Sequence, residues 1–559
     1  MRMPSFGTLL SAVVALATPA RGQQIRCLSL DAGGTDAASG SEVAVSADGR
    51  FVAFVSISGD LVAGDTNGDL DVFVRDRTTG AIERVSVASD GTEGSGVCTS
   101  PALSDDGRYV VFASESDSLV ADDTNHTMDV FLRDRQLGTT TRLSVSSSGE
   151  EGDAVSTHPA ISGDGGFVAF ESAAGNFAAG DSNQVRDIFV RDLAAGTTTR
   201  ISLSTTGGNP DKFSQFPAIS GDGRYVAFLS DATNLVSGDT NRQTDVFLFD
   251  RDAGTTTRVS VSSSGAQANG SCGYVGMALS RDGSTVAFDS FATNLASGDS
   301  TNDLDVFVRD LAAGTTECVS VRSDGGQVTA DCTDPTLSAD GRLVAFVGRA
   351  SDLVDGDTNN RDDVFVHDRA TGTTVFGDQT CAGNLGDGDS REPALDGAGD
   401  LLVFSSWSDD LTDAHDHNAQ QDVFANDLSF QVDAAAWSNY GAGWPGELGI
   451  PALTASAPPS FGSTLTLDVT NSTSFYTIGF LLLGLDAVDV PTRFGGALLV
   501  DFVSLQVLVL DPATTSLPVT VPRDESLCNV SIRLQVIEED EAASRAFSFT
   551  PGLELHVGR

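Results

Sequence analysis

Short apolar runs separated by polar turns fill most of the chain, and apolar residues do not recur at helical spacing. PALS (101–104), RYVVFAS (108–114), DVFLRD (129–134) and TTTRLSV (139–145) follow one another in this way. They are rich in β-branched and aromatic residues, and the breaks between them are DDG (105–107), a longer loop, and RQLG (135–138). Asp-Gly between two apolar runs is a strong hairpin signal, so the stretch predicts four short antiparallel strands. The pattern then repeats. GDTNGDLDVFVRDR (64–77) returns as GDTNRQTDVFLFDR (238–251), GDSTNDLDVFVRDL (298–311) and GDTNNRDDVFVHDR (356–369). Its first Asp stands at 65, 123, 181, 239, 299, 357 and 416. A fixed period near sixty residues means stacked supersecondary units, and four strands per unit describe a propeller blade.

The ends of the repeat sharpen this expectation. The seventh unit has PALD (393–396), LLVFSS (401–406) and DVFAND (422–427), then runs into FQVDAAAW without a fourth strand. IRCLSLDAGG (25–34) aligns with TECVSVRSDGG (316–326), the fourth strand of unit five and its following loop. The segment after residue 24 is therefore expected to complete the seventh unit, removing an exposed sheet edge. The expected fold is all-β: a seven-bladed β-propeller over 23–430 closed by its N-terminal strand, a linker at 431–445, and a β-sandwich over 446–559. The last domain is read from strand-like runs such as STLTLDV (463–469) and NVSIRLQVI (529–537), punctuated by Pro and Gly.

SADGRFVAF (46–54), SDDGRYVVF (104–112), SGDGRYVAF (220–228) and SADGRLVAF (338–346) resemble the Ser-x-Asp-Gly-Arg hairpin of TolB-type, WD40-like β-propeller repeats. The resemblance covers about residues 25–428 and implies a fold rather than an activity. TolB itself has a different N-terminal domain and blade count, so the resemblance carries over none of its partners. The C-terminal segment, ending SFTPGLELHVG, is loosely similar to sandwich modules of large exported bacterial proteins, which implies anchoring, sorting or binding.

Residues 1–22 have an early Arg2, an apolar run from Phe6 to Ala17 and small residues before Gln23, the pattern of a secretory signal peptide. This points to a secreted or cell-envelope bacterial protein. Formal charge is −46, and removing residues 1–22 takes away Arg2 and Arg21 but no acid, giving −48. Such a surface excludes nucleic acid and anionic membranes as partners and favours cations. Export permits disulfides. Seven cysteines leave at least one thiol over, and Cys318 and Cys332 flank one connection where they can pair.

The acidic loops carry the main chemical expectation. Asp at positions 1 and 7 with Asn at position 3 places oxygen ligands suited to Ca²⁺ on one tight loop. The candidates are Asp65, Asn67, Asp69 and Asp71; Asp123, Asn125 and Asp129; Asp181, Asn183 and Asp187; Asp239, Asn241 and Asp245; Asp299, Asp303 and Asp305; Asp357, Asn359 and Asp363; and Asp416, Asn418 and Asp422. Asx turns without metal are the competing reading. Two carboxylates held together, however, repel unless a cation lies between them. Such sites bind calcium with Kd on the order of 10⁻⁴–10⁻³ M.

No catalytic constellation is apparent. GxSxG, HExxH and P-loop patterns are absent, and the six histidines (126, 158, 367, 415, 417 and 556) do not occupy equivalent positions. VAVS, PALS, PAIS, MALS, PTLS and PALD are expected to line the central channel with Asp396 as the sole ionisable group. The sequence therefore suggests a monomeric, non-enzymatic, calcium-supported scaffold that binds a protein or glycan through its loop face. The alternatives are an extracellular enzyme acting on polysaccharide or peptide, and a TolB-like envelope component. A unique cluster of His, Arg and carboxylate on the loop face would favour the enzyme.

Overall fold

The structure, a computed structural model, describes residues 25–30, 39–299, 302–380, 384–412, 420–428, 436–440, 450–457, 464–471, 476–491, 497–511, 514–520, 531–539 and 547–556. The expected signal peptide lies outside them. All elements among the described residues are strands, and they fall into two compact units, with Ile25–Asp378 and Leu385–Leu428 making the larger.

In the larger unit, Ser41–Val45, Phe51–Ser56, Asp71–Asp76 and Ile82–Arg84 form one antiparallel sheet in chain order. Five further sheets repeat that order, the last built from Cys332–Leu337, Leu343–Gly348, Asp363–Asp368 and Thr373–Phe376. Repeated four-stranded antiparallel sheets of this kind are consistent with propeller blades. A seventh sheet takes Ser390–Leu395, Leu401–Ser406 and Asp422–Asp427 from the end of the repeat. Its fourth strand is Arg26–Cys27, with Arg26 opposite Ala425 and Cys27 opposite Phe424. Leu28 N–H extends the pairing to the Val423 carbonyl at 2.6 Å.

Each sheet is organised around one aromatic pair. Phe54 on the second strand faces Phe73 on the third, with ring centroids 5.9 Å apart. The same pair recurs down to Phe404 and Phe424 at 5.8 Å. These rings are buried, so VAF and DVF within the repeat are the core of each sheet.

Neighbouring sheets lock together through their Asp-Gly turns. Gly107, at φ 64°, lies against the Phe51 ring of the preceding sheet, where a Cβ would come within 2.3 Å of a ring carbon. Gly49 lies in the same way against Leu401 of the seventh sheet, with a Cβ distance of 3.2 Å. Backbone hydrogen bonds pass between the same turns: Ala47 N–H to Asp105 O (3.1 Å), Asp105 N–H to Gly163 O (2.9 Å), Asp164 N–H to Gly221 O (3.3 Å) and Gly221 N–H to Arg281 O (2.7 Å). They continue from Asp282 N–H to Ala339 O (3.3 Å) and Ala339 N–H to Gly397 O (3.0 Å), and return from Gly397 N–H to Ala47 O (2.9 Å). The chain of contacts that leaves the first sheet therefore comes back to it.

The second unit has two antiparallel sheets. Ala436–Tyr440, Gly552–His556, Ser531–Glu539, Thr477–Pro491 and Ala497–Leu510 are neighbours in one, with Phe547–Phe549 paired to Ser531–Glu539; Leu453–Ala455, Thr464–Thr470 and Thr514–Thr520 form the other. Leu453, Leu465, Leu467, Leu481, Leu534 and Leu553 from both sheets share one apolar core. Ala436–Tyr440 falls inside the segment expected as a linker. It is instead an edge strand of the larger sheet, paired with Gly552–His556.

Deleting residues 25–30 removes the buried Ile25 and Leu28 and bares the edge of the seventh sheet. Burial of two such side chains is worth about 1.5–3 kcal/mol each. The truncated protein should melt earlier and be cut by protease within the seventh sheet, while changes elsewhere follow only after melting. Differential scanning calorimetry with limited proteolysis checks this.

Candidate functional site: acidic loops and the axial strands

The first four acidic loops share one frame. In the first, Asn67 Oδ1 accepts the Asp69 N–H at 3.0 Å, an Asx turn, while its Nδ2 donates to Asp71 Oδ2 at 3.2 Å and Gly94 O at 3.0 Å. The amide thus presents a donor, not a ligand oxygen, to the carboxylate. Asn125, Asn241 and Asn359 do the same toward Asp129, Asp245 and Asp363 at 2.8, 3.0 and 2.9 Å. Asn183 donates instead to Pro210 O at 3.3 Å. Asp69 Oδ2 is engaged by the Gly96 N–H at 2.7 Å.

Between the two acids of the first four loops lies an arginine from the fourth strand. Arg84 Nη1 is 3.0 Å from Asp65 and 3.2 Å from Asp71. Arg142 stands 3.2 Å from Asp123 and 3.7 Å from Asp129; Arg200 is 3.0 Å from Asp181 and 3.3 Å from Asp187. Arg258 is 3.4 Å from Asp239 and 3.7 Å from Asp245. A cation does separate the carboxylates here, and it is a guanidinium. A serine completes each site: Ser86 donates to Asp71 Oδ1 at 2.5 Å, and Ser202 to Asp187 at 2.6 Å.

The last three loops break this rule. Cys318, Phe376 and Cys27 stand where the arginines stand, as the registers Phe307↔Cys318, Phe365↔Phe376 and Phe424↔Cys27 show beside Phe73↔Arg84. In the fifth loop Asp305 accepts from Ser320 at 2.7 Å. Burial, followed by the charges of Asp299 and Asp303, pushes its carboxyl up to about 6. In the sixth, the serine is replaced by Asp378. In the seventh, Ser29 donates to Asp422, and Asp416 and Asn418, with His415 and His417, lie outside the described residues. Among the described residues no three His, Cys, Asp or Glu side chains converge as a metal-ligand set. Cys318 and Cys332 are both thiols, not a disulfide.

The first strands, nearest the axis, differ from the sequence expectation. Each begins before the x-Ala-Leu-Ser run and carries a bulge, for example between Ser41 and Ala44 and between Arg391 and Ala394. At the bulge sits a residue with left-handed backbone: Glu42 (φ 49°), Ser100 (54°), His158 (47°), Phe216 (51°), Asp334 (54°) and Glu392 (54°). Such a conformation costs a non-glycine residue of order 1–3 kcal/mol and gathers at functional positions. Ionisable groups therefore do line the axis, and Asp396 is not alone. Five of these residues precede a proline in the sequence, a restriction on backbone that marked them.

Their N–H groups are held by carboxylates. Glu392 accepts from the Glu42 N–H at 2.7 Å, and Glu42 in turn accepts from Ser100 N–H. Glu171 accepts from Phe216 N–H at 2.9 Å, and Asp289 from the N–H groups of Tyr274 (2.5 Å), Val275 (3.1 Å) and Gly276 (3.0 Å). One cluster has no counterpart in the other sheets: His158 Nδ1 and Arg186 Nη1 both lie 3.2 Å from Glu171 Oε1. Burial alone would push Glu171 up, but His158 and further donors bring it below its ordinary value. Burial pushes Asp289 up to about 6 despite its backbone donors. Burial together with Glu392 and Asp289 takes Asp334 to about 7.

Beside this group lies a cleft of about 530 Å³ lined by Val275, Thr333, Asp334, Asp362, Arg391 and Glu392. Tyr274 (69 % exposed) and Trp407 (41 %) stand out toward solvent, with the Arg391 guanidinium 5.7 Å from the Trp407 ring centroid. At the opposite end of the axis, Arg281 of the fifth sheet pairs with Asp105 of the second.

No family model matches the sequence, and no curated protein matches it either. Solved structures align with it at low identity. A TolB from Agrobacterium tumefaciens is 18 % identical, over 50 % of this chain and 80 % of that one, with a TM-score of 0.32. The extracellular domain of a hybrid two-component system of B. thetaiotaomicron is 9 % identical over 95 % and 59 %, at 0.39. A family 117 glycoside hydrolase from Zobellia galactanivorans is 14 % identical over 51 % and 88 %, at 0.21. At these TM-scores the likenesses carry no argument about fold or activity. Among the described residues no helix is long and apolar enough to cross a membrane.

Arg200 is buried between Asp181 and Asp187, and burial already pushes Asp187 up to about 6. Breaking a buried pair by removing one partner costs about 3–5 kcal/mol. Arg200→Gln should show that loss at pH 8, above the raised value of Asp187, and a smaller one at pH 5. An acid whose folded value is raised contributes stability while protonated and loses it as pH rises through that value. Urea denaturation at the two pH values measures the difference.

Proposed function

We propose that the chain is an exported seven-bladed β-propeller, followed by a β-sandwich, that binds a protein or glycan partner at the axial end of its loop face. The observation that supports this reading best is the ring of left-handed, non-glycine residues at the bulges. Strain repeated at one place in six sheets aims side chains of five different kinds toward the axis. The cleft of about 530 Å³ is lined by carboxylates, by Val275, which follows the exposed Tyr274, and by Arg391, whose guanidinium lies 5.7 Å from the exposed Trp407 ring. It suits a ligand with both polar groups and flat apolar surfaces. The pairing of Arg26–Cys27 with Asp422–Asp427 and the return of the turn contacts to Ala47 support closure of the seven sheets into one ring.

The His158–Glu171–Arg186 cluster favours a second reading, hydrolysis of an extracellular glycan. Glu171 is buried yet held below its ordinary value by His158 and further donors, a carboxylate placed beside the Arg186 guanidinium. Binding of soluble polysaccharides and of peptides, followed by calorimetry, tests both. Tyr274→Ala and Trp407→Ala should each weaken the ligand at least tenfold without changing the melting midpoint. Binding untouched by either change would remove the axial cleft as the site. Release of reducing ends that disappears in Glu171→Gln would favour the enzyme.

A further inference from the structure

The sixth sheet departs from its neighbours at three linked positions. The arginine that separates the acids of the first four loops is Phe376, and the serine that donates to the second acid is Asp378. The glutamate that also reaches the arginine in the first two loops, Glu93 or Glu151, is Leu385, partly buried in the apolar core beside Phe376. The arginine cation and the serine donor are lost, and the acid moves from the partly exposed glutamate position to the buried Asp378. Asp363 and Asp378 are fully buried and act on one another, and the charge of Asp357 reaches both.

Each of these two carboxylates is half satisfied. Asp363 Oδ1 accepts from Asn359 Nδ2 at 2.9 Å, and Asp378 Oδ2 accepts from Val364 N–H at 3.2 Å. Asp363 Oδ2 and Asp378 Oδ1 are buried with no hydrogen-bond partner. An ionised carboxylate out of water is costly unless it is paired. The first four loops meet that need with a guanidinium, and this one has none to offer.

We propose that the sixth loop binds a single divalent cation, calcium in preference to magnesium, between Asp363 Oδ2 and Asp378 Oδ1. The ion takes the place that Arg84, Arg142, Arg200 and Arg258 hold in the earlier sheets. Two carboxylates cancel its charge, and water completes the oxygen shell, with Asp357 at the open side. Calcium accepts such an irregular set, whereas magnesium demands near-ideal octahedral geometry.

The test is calcium titration of the chelator-treated, purified protein by isothermal calorimetry, with melting midpoints at constant pH in calcium, magnesium and EDTA. The wild type should take up one strongest calcium equivalent and melt higher in calcium than in magnesium or EDTA. Asp378→Ser restores the residue of the other loops, and Phe376→Arg supplies the internal cation. Each should weaken that equivalent at least tenfold, and Phe376→Arg should also raise the midpoint in EDTA. Should one variant fail to fold, the other still decides. The proposal fails if the wild type ignores calcium, if both folded variants retain its full calcium response, or if its midpoint responds to pH alone, as a proton shared by the two acids would require. The binding reading of the axial cleft is untouched by any of these results.

Discussion

A sheet of three strands with one bare edge is the weak point of any linear repeat. In this chain the weakness is met by Arg26–Cys27, which supplies the missing strand to Asp422–Asp427. Residues separated by nearly the whole repeat are thereby hydrogen-bonded. Everything around the axis depends on it: the Glu42 N–H finds Glu392, Gly397 finds Ala47, and Arg77 reaches Asp427 at 3.1 Å. Without that pairing the seventh sheet would keep a bare edge beside the first.

The repeat is uniform where it must pack and varied where it meets solvent or the axis. The stacked phenylalanines and the turn glycines recur because each sheet has the same neighbour. The acidic loops show how a shared frame diverges. In four of them an arginine holds two acids together within the chain, a self-contained solution. In the fifth, sixth and seventh the arginine has gone, while the paired acids of the fifth and sixth loops remain. The bulge residues diverge further still, from glutamate to serine, histidine, phenylalanine and aspartate, on a backbone that keeps the same left-handed turn. That combination of fixed geometry and varied chemistry is what a recognition surface needs.

Much of the fold was legible in the sequence because it rests on local rules. Asp-Gly hairpins, the fixed period and the orphan strand at residues 25–34 each have a local signature. The site was legible only in part. The carboxylate pairs such as Asp181 and Asp187 were correctly seen to need a cation, but Arg200 comes from a strand whose register pattern alone does not reveal. The axis was misread because PALS was taken as the whole strand. The residue before each proline, such as His158 or Asp334, enters the channel only through a bulge, and a bulge shifts the alternation that sequence reading relies on.

Closure is most directly tested by hydrogen–deuterium exchange resolved to the segment around residues 25–30. If that segment is the fourth strand of the seventh sheet, its amides at Cys27 and Leu28 should exchange as slowly as those of Val423–Ala425 and lose protection together with them in denaturant. Exchange of residues 25–30 at the rate of an unstructured tail, while 423–425 stay protected, would contradict the closed ring and everything placed on its axis.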